Sequence, residues 1–330
     1  MSNNVLLNGH GFIKTINAGT FNDIALQVYR HQFQHNDIYR SFAETVHKTP
    51  DRVQHIYEIP YLPVSFFKTH KVTSGIWEPE LVFESSKTTG DTPARHFVKS
   101  AGLYNESLLA GFEAFYGSPA DYTILALLPS YLERSNASLV HMVKVLMDYS
   151  GNTRAGFYLD EWAQLAHTLQ QLERDGRKTL LIGVTFALLD FAEAHPMHLK
   201  NTIVMETGGM KGRKEEWTRR QVHTFLKDKW GVSEIHSEYG MTELLSQSYA
   251  KADGIFTTAP TMKVLVRDMN DPFDITAEGS GCLNIIDLAN IHSCAFIATD
   301  DIGKISSDGS FEVLGRADHS ALRGCSLMAI

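Results

Sequence analysis

The stretch TLLIGVTFALLDFA, Thr179–Ala192, changes period half-way along. TLLIGVT is a continuous apolar run of the length expected for a strand buried on both faces, whereas LLDFAEAH, beginning at Leu188, reads as a helix. The same unit recurs on either side. Upstream, TILALLP (Thr123–Pro129) reads as a buried strand, followed by a helix through Met147 that Ser135 and Asn136 could cap. AGFYL (Ala155–Leu159) and the segment Glu161 to Glu173 repeat the pattern, and downstream TIVMET (Thr202–Thr207) is followed by a helix from Glu215 to Lys229. Strand and helix in regular alternation predict an α/β fold, a largely parallel sheet covered by helices on both faces.

Outward from this centre the character changes. On the N-terminal side, Ile24, Val28, Phe33, Ile38 and Phe42 fall at helical spacing and predict a helix over 22–48. PYLPVSFFK (Pro60–Lys68), with two prolines, reads as extended chain, LVF (Leu81–Phe83) as the end of a strand, and 103–116 as a helix. After about Gly254 come short strands, MKVLVRD, CLNIID, CAFIAT and GKISS, separated by DP, EGSG and SDGS turns and followed by FEVLG. They predict an antiparallel β subdomain. The expected division is therefore 1–253, an α/β core, and 254–330, a β subdomain.

Composition narrows the function classes. A net charge of -8 argues against a general nucleic-acid surface. Cys282, Cys294 and Cys325 form no CxxC pair, so neither a zinc site nor a disulfide framework is expected, and a reducing cytoplasm fits. MSNNVLLNGHGF lacks a basic region before an apolar stretch, so no signal peptide is expected. Thr179–Ala192 is the longest apolar stretch and falls short of the roughly 20 residues a membrane span needs.

Four stretches carry polar chemistry. FESSKTTGDTPARH (Phe83–His96) cannot build a core. Its hydroxyls, backbone N–H groups and basic side chains suit a polyphosphate, although the spacing is not that of a Walker A loop and a plain surface loop has the same composition. ETGGMKGR (Glu206–Arg213) follows a strand with a Gly-Gly turn, which would let a ring lie against the backbone or would simply lead into a helix. HSEYGMTE (His236–Glu243) gathers an aromatic ring, a glycine, a hydroxyl and a carboxylate. Phe296–Gly324 sets an acidic pair before a glycine, then Arg316, Asp318 and Arg323, a pattern that two hairpins would also produce. His96 and His236 flank two of these stretches and could line a pocket or sit at a helix end or surface.

Together and in this order, SSKTTGDT, EYGMTE, TDDIG and GRADHSALRG resemble the phosphate loop, aromatic loop, ribose motif and hinge of the adenylate-forming enzymes, the superfamily of acyl-CoA ligases, adenylation domains and firefly-type luciferases. YLPVSFFK, TTGDTPARHFV, ETGGMKGR and the terminal RGCSL make the chain similar, over residues 60–330, to the acyl-protein synthetase (LuxE-type) branch, a relative of the phenylacetate-CoA ligases. That resemblance implies activation of a fatty acid by ATP and Mg²⁺ as acyl-AMP, transfer to a cysteine, and delivery to an acyl reductase or acyltransferase partner. By the same resemblance Ser85, Ser86, Thr88, Thr89 and Gly90 would hold the β- and γ-phosphates. Gly208 and Gly209 would line the adenine pocket, with Tyr239 stacked on the ring and Gly240 beside it. Thr242 would contact the α-phosphate, Glu243 would hold Mg²⁺, Asp301 the ribose, and Arg316 the ribose or phosphate.

The resemblance also implies departures. Lys87 and Asp300 stand where the family has glycines, and the family's small C-terminal lid domain, with its catalytic lysine, is expected to be absent after Ile330. Lys87, Lys211 or Arg213 would then supply positive charge. Cys325 would be the acyl acceptor; a basic neighbour, Arg323, favours its thiolate, although a structural cysteine in a last strand has the same surroundings. Leu139, Met142 and Met147 would suit an alkyl chain, or be plain core. Two other readings remain open at this point: an acyl- or aryl-CoA ligase, and a non-catalytic nucleotide-binding subunit of a reductase complex.

Overall fold

The structure, a computed structural model, describes residues 11–85, 92–128, 136–208 and 217–317. From the N-terminus come α1 (Phe21–His35), α2 (Asp37–Thr45), β1 (Leu62–Pro63) and α3 (Phe66–Thr69). A hairpin of β2 (Leu81–Glu84) and β3 (Arg95–Val98) leads to α4 (Ala101–Tyr116). The alternating region follows as β4 (Thr123–Leu127), α5 (Ser138–Ser150), β5 (Gly156–Tyr158), α6 (Trp162–Arg174), β6 (Thr179–Val184), α7 (Thr185–Ala194), β7 (Thr202–Thr207), α8 (Arg219–Trp230) and β8 (His236–Tyr239). The chain continues through β9 (Ser248–Ala250), β10 (Phe256–Thr258), β11 (Met262–Arg267), β12 (Ile275–Thr276), β13 (Gly279–Asp287), β14 (Phe296–Ile305) and β15 (Phe311–Arg316).

Within the described residues, all strands except β2 and β3 join one mixed sheet in the order β12-β11-β13-β14-β15-β10-β9-β8-β7-β6-β4-β5, with β1 alongside β14. β5, β4, β6, β7 and β8 are parallel. From β8 onward the pairings of the main path are antiparallel. The expected parallel α/β core and antiparallel C-terminal strands are thus both present, in one sheet. The boundary expected at 253/254 falls between β9 and β10, which are paired neighbours.

Every residue of β6 is buried, as its uninterrupted apolar run requires. The strand passes directly into α7, and Gly183 makes that possible. A Cβ there would lie 2.7 Å from Leu188 Cδ2 and 3.1 Å from the Leu127 carbonyl, so a side chain would push the helix off the sheet. Two cores result. One packs the parallel strands against α5 to α8 and includes Met142, Phe191 and the wholly buried Trp230, with Leu139 and Met147 against it. Leu139, Met142 and Met147, considered for an alkyl pocket, contribute to core packing. The other core joins chain ends far apart in sequence, with Tyr29 and Tyr39 of α1 and α2 lying 6.3 and 6.0 Å from the ring of Phe296 on β14.

Four local expectations are corrected. The helix expected over 22–48 is two helices, broken at Asn36, whose extended backbone lets its side chain accept from the Tyr39 N–H at 3.0 Å while its amide donates to the Ser293 carbonyl at 3.0 Å. Asn36→Ala removes both bonds and should cost about 1–2 kcal/mol in urea unfolding; an unchanged midpoint would show that the break needs no cap. In PYLPVSFFK only Leu62–Pro63 is strand, and Phe66–Thr69 is a helical turn. The helix α5 starts at Ser138 after Ala137 with no side-chain cap, so Asn136 does not cap it, and Ser135 lies outside the described residues. CAFIAT and GKISS are one strand, β14, because its ladders to β13 and β15 run through TDDIG with only register shifts. Gly303 accommodates the shift opposite β15, since a Cβ there would sit 2.5 Å from the Glu312 carbonyl oxygen. No helix among the described residues is long and apolar enough to cross a membrane.

Candidate active site

Parallel sheets place their ligand crevices at the carboxyl ends of the strands. Here the ends of β6, β7 and β8 carry Thr185, Glu206 to Gly208, and Tyr239 with Gly240. Gly208 has φ +72, a left-handed conformation that a side chain would strain. Thr185 Oγ1 lies 2.9 Å from both Glu206 Oε2 and the Gly208 carbonyl, fixing the turn that leaves β7.

Tyr239 closes β8 and faces β14 and β15. Its hydroxyl donates to Asp301 Oδ2 at 2.7 Å, and its ring stands edge-on to Phe311 at 5.7 Å. Asp301 is paired with Arg316 in the β14–β15 register, with Arg316 Nε 3.2 Å from its other oxygen. The guanidinium is largely exposed and the carboxylate largely buried, so the pair presents its charge at the mouth of the site. Burial, followed by the Asp301 carboxylate, pushes the Tyr239 hydroxyl well above its ordinary value, so it remains a donor. Three residues expected from separate motifs, Tyr239, Asp301 and Arg316, are therefore one unit, held by a hydrogen bond and an ion pair.

Glu243 lies 6% exposed at the end of the same loop. Burial pushes its carboxyl up to about 7, against the pull of its own backbone N–H and of Arg316. The backbone of this loop is held at three points. The Thr242 carbonyl meets His96 Nδ1 at 2.9 Å, the Glu243 carbonyl accepts from Asn290 Nδ2 at 2.6 Å, and Asp287 accepts from Leu245 N, Ser246 N and Ser246 Oγ.

Alternation along β8 sends Glu238 to the face opposite Tyr239. Burial raises Glu238 to about 7, although the Thr207 hydroxyl donates to it. Gly240 is required beside it, because a Cβ would lie 2.5 Å from Glu238 Oε1. On β7, burial also works against ionised Glu206, but His223 and then Arg219 outweigh it and hold the carboxyl below its ordinary range.

Of the other expected residues, Ser85 is placed at the base of the β2–β3 hairpin, where its Oγ accepts from Ala94 N–H at 2.9 Å and its own N–H donates to the Ala94 carbonyl. Ser86, Lys87, Thr88, Thr89, Gly90, Gly209, Lys211, Arg213, Asp318, Arg323 and Cys325 lie outside the described residues. Cys282 and Cys294 are buried free thiols, as expected of core cysteines. Among the described residues no three His, Cys, Asp or Glu side chains gather as a metal-only site.

Sequence reasoning missed Asn290 and Asp287, and it did not give His96 its structural place. His96, considered as a pocket-lining, helix-end or surface residue, is a wholly buried strand residue whose Nδ1 meets the Thr242 carbonyl and whose Nε2 lies 2.9 Å from Asn290 Oδ1. A signal existed for Asp287 alone, a charged residue ending the apolar run CLNIID.

A family description of acyl-protein synthetases, LuxE, matches residues 14–329. Over 68 residues the chain is 38% identical to a long-chain-fatty-acid–luciferin-component ligase from Photorhabdus luminescens, a match covering 20% of this chain and 58% of that one. Among solved structures, an open conformation of 2-hydroxyisobutyryl-CoA ligase in complex with 2-HIB-AMP and CoA superposes with a TM-score of 0.67 at 12% identity, covering 90% of this chain and 74% of that one. ATP-bound MatB from Rhodopseudomonas palustris gives a TM-score of 0.54 at 16% identity, over 74% of this chain and 50% of that one. The chain thus spans about half the length of several of these ligases, and at such identities the likeness is one of fold. With the family description running across nearly all of its length, the chain belongs to the LuxE acyl-protein synthetase family and has the fold of the adenylate-forming ligases.

Proposed function

We propose that this protein activates a carboxylic acid, a fatty acid in the first instance, with ATP, and carries the acyl group on Cys325 for delivery to a reductase or acyltransferase. The observation that carries the reading is the convergence of Tyr239, Asp301 and Arg316, with Glu243 nearby, at the carboxyl end of β8. An aromatic face, a carboxylate suited to paired hydroxyls and an exposed guanidinium match the three parts of a nucleotide.

In the first step a carboxylate oxygen of the acid attacks the α-phosphorus; the bond from that phosphorus to the bridging oxygen breaks and pyrophosphate leaves. Thr242 contacts the α-phosphate and Asp301 the ribose. The phosphate-facing hydroxyls are those of Ser85, Ser86, Thr88 and Thr89, with Gly90, and Gly208 and Gly209 border the adenine. One buried carboxylate, Glu243, fits Mg²⁺, which binds through one or two carboxylates and completes its shell with phosphate oxygens and water. When bound, the ion would supply charge neutralisation at the phosphates, and Lys87, Lys211 and Arg213 would be the cations for the remainder. In the second step the Cys325 thiolate attacks the acyl carbonyl, a thioester forms and AMP leaves.

The test is intact-protein mass after incubation with ATP, Mg²⁺ and a mixture of fatty and aryl acids. A hydroxylamine-sensitive adduct on the wild type, lost completely in Cys325→Ser, is expected, and its mass names the acid. Pyrophosphate release without an adduct would place the acceptor on coenzyme A or a partner thiol. A wild type that binds neither ATP nor AMP would sink the reading.

A further inference from the structure

The β2–β3 hairpin forms a sheet of its own, separate from the main sheet. Phe83, Ala94 and Val98 pack into the core it shares with the main sheet, and one buried polar side chain reaches the loops between main-sheet strands. His96, on β3, is 1% exposed, and the ring of Phe67 packs edge-on against it at 5.8 Å. Its Nδ1 lies 2.9 Å from the Thr242 carbonyl and its Nε2 2.9 Å from Asn290 Oδ1. A carbonyl only accepts, so Nδ1 carries the proton of the first bond.

The orientation of Asn290 is fixed independently. Its Nδ2 donates to the Glu243 carbonyl at 2.6 Å, which turns Oδ1 toward His96. Gln32 on α1 holds the peptide from behind, with Nε2 3.0 Å from both the Asn290 and Ile291 carbonyls. Burial holds the ring neutral, lowering it to about 4, so its single N–H is spent on the Thr242 carbonyl, while Asn290 ties the Glu243 carbonyl on its own account.

We infer that His96 is a positioning residue for the phosphate end of a bound nucleotide. It acts through the peptide that joins Thr242 to Glu243, whose carbonyl it holds, and touches neither nucleotide nor acid. By fixing that peptide against β3, which lies across the hairpin from Glu84 and Ser85, it sets the residues on either side, with the Thr242 hydroxyl and the Glu243 carboxylate, at one distance from the hairpin. The adenosine-facing groups do not depend on it, because Tyr239 and Asp301 are anchored to each other and to β15. The inference rests on the nucleotide reading above.

Equilibrium dialysis with two probes, ATP with Mg²⁺ and adenosine alone, separates positioning from general support. In His96→Leu, affinity for ATP with Mg²⁺ should fall about tenfold, the scale of one strong hydrogen-bonded link, while adenosine affinity stays within about twofold. His96→Gln, which keeps one amide donor, should fall between Leu and wild type, and it decides alone where His96→Leu does not fold. Equal losses for both probes, or no loss for either, would overturn the inference and leave the nucleotide reading standing. A wild type that takes up neither probe would remove both.

Discussion

Glu243→Gln should make the nucleotide-free protein more stable and the enzyme nearly inactive. The carboxyl is buried and pushed from an ordinary 4.5 to about 7. A shift of that size corresponds to about 3 kcal/mol of disfavoured ionisation once the pH is above 8. Because the folded-state value lies above the unfolded one, the native state binds the extra proton. The stability associated with it is complete below about pH 4.5 and is lost as the pH rises through 7. Glutamine keeps the shape without the charge. The variant should therefore match wild type near pH 4.5 and exceed it by about 2–3 kcal/mol at pH 8 in urea unfolding. Under the proposed function, the same substitution removes the carboxylate that holds Mg²⁺, and pyrophosphate release should fall at least a hundredfold, an order of magnitude in keeping with several kcal/mol of charge stabilisation. A variant less stable than wild type at pH 8 would contradict the electrostatic account. Undiminished pyrophosphate release would take Glu243 out of the site.

Asp287→Ala should be the most damaging change to stability. This carboxylate is fully buried and ends β13. It accepts from Leu245 N at 2.7 Å, Ser246 N at 3.0 Å, Ser246 Oγ at 2.6 Å and Ala289 N at 3.1 Å. Alanine leaves the Leu245, Ser246 and Ala289 N–H groups buried without partners, at about 1–3 kcal/mol for each group that water cannot reach, while the Ser246 hydroxyl keeps Thr261, so a loss of about 4 kcal/mol is expected. Asp287→Asn, which retains an acceptor oxygen, should lose about half of that. Urea midpoints with an unchanged slope are the measurement. A loss below about 1 kcal/mol would mean that water or a neighbouring group replaces the carboxylate.

The parallel half of the fold was legible because its strands are buried on both faces. TILAL, TLLIGV and TIVMET contrast sharply with the amphipathic helices between them, and the period changes at a glycine that packing requires. The antiparallel strands were legible as strands but not as lengths. TDDIG looked like an interruption because its two aspartates and glycine are turn residues, yet ladders on both sides carry β14 through it. The break at Asn36 was hidden for a similar reason. Apolar spacing continues across it, and the bond that favours the break comes partly from Ser293, at the other end of the chain.

The sequence alone determined the element types in the alternating core, the polar stretches that supply the site and the family those stretches belong to. These are local properties, set by side-chain period and by residue types at short spacing. Only the tertiary structure decided that Tyr239, Asp301 and Arg316 form one unit, that the N-terminal helices share a core with β14, and that His96 joins the hairpin to the Thr242 carbonyl. These links span tens to hundreds of residues. They depend on which strands become neighbours and which carbonyls face a buried donor, and no short-range pattern encodes either.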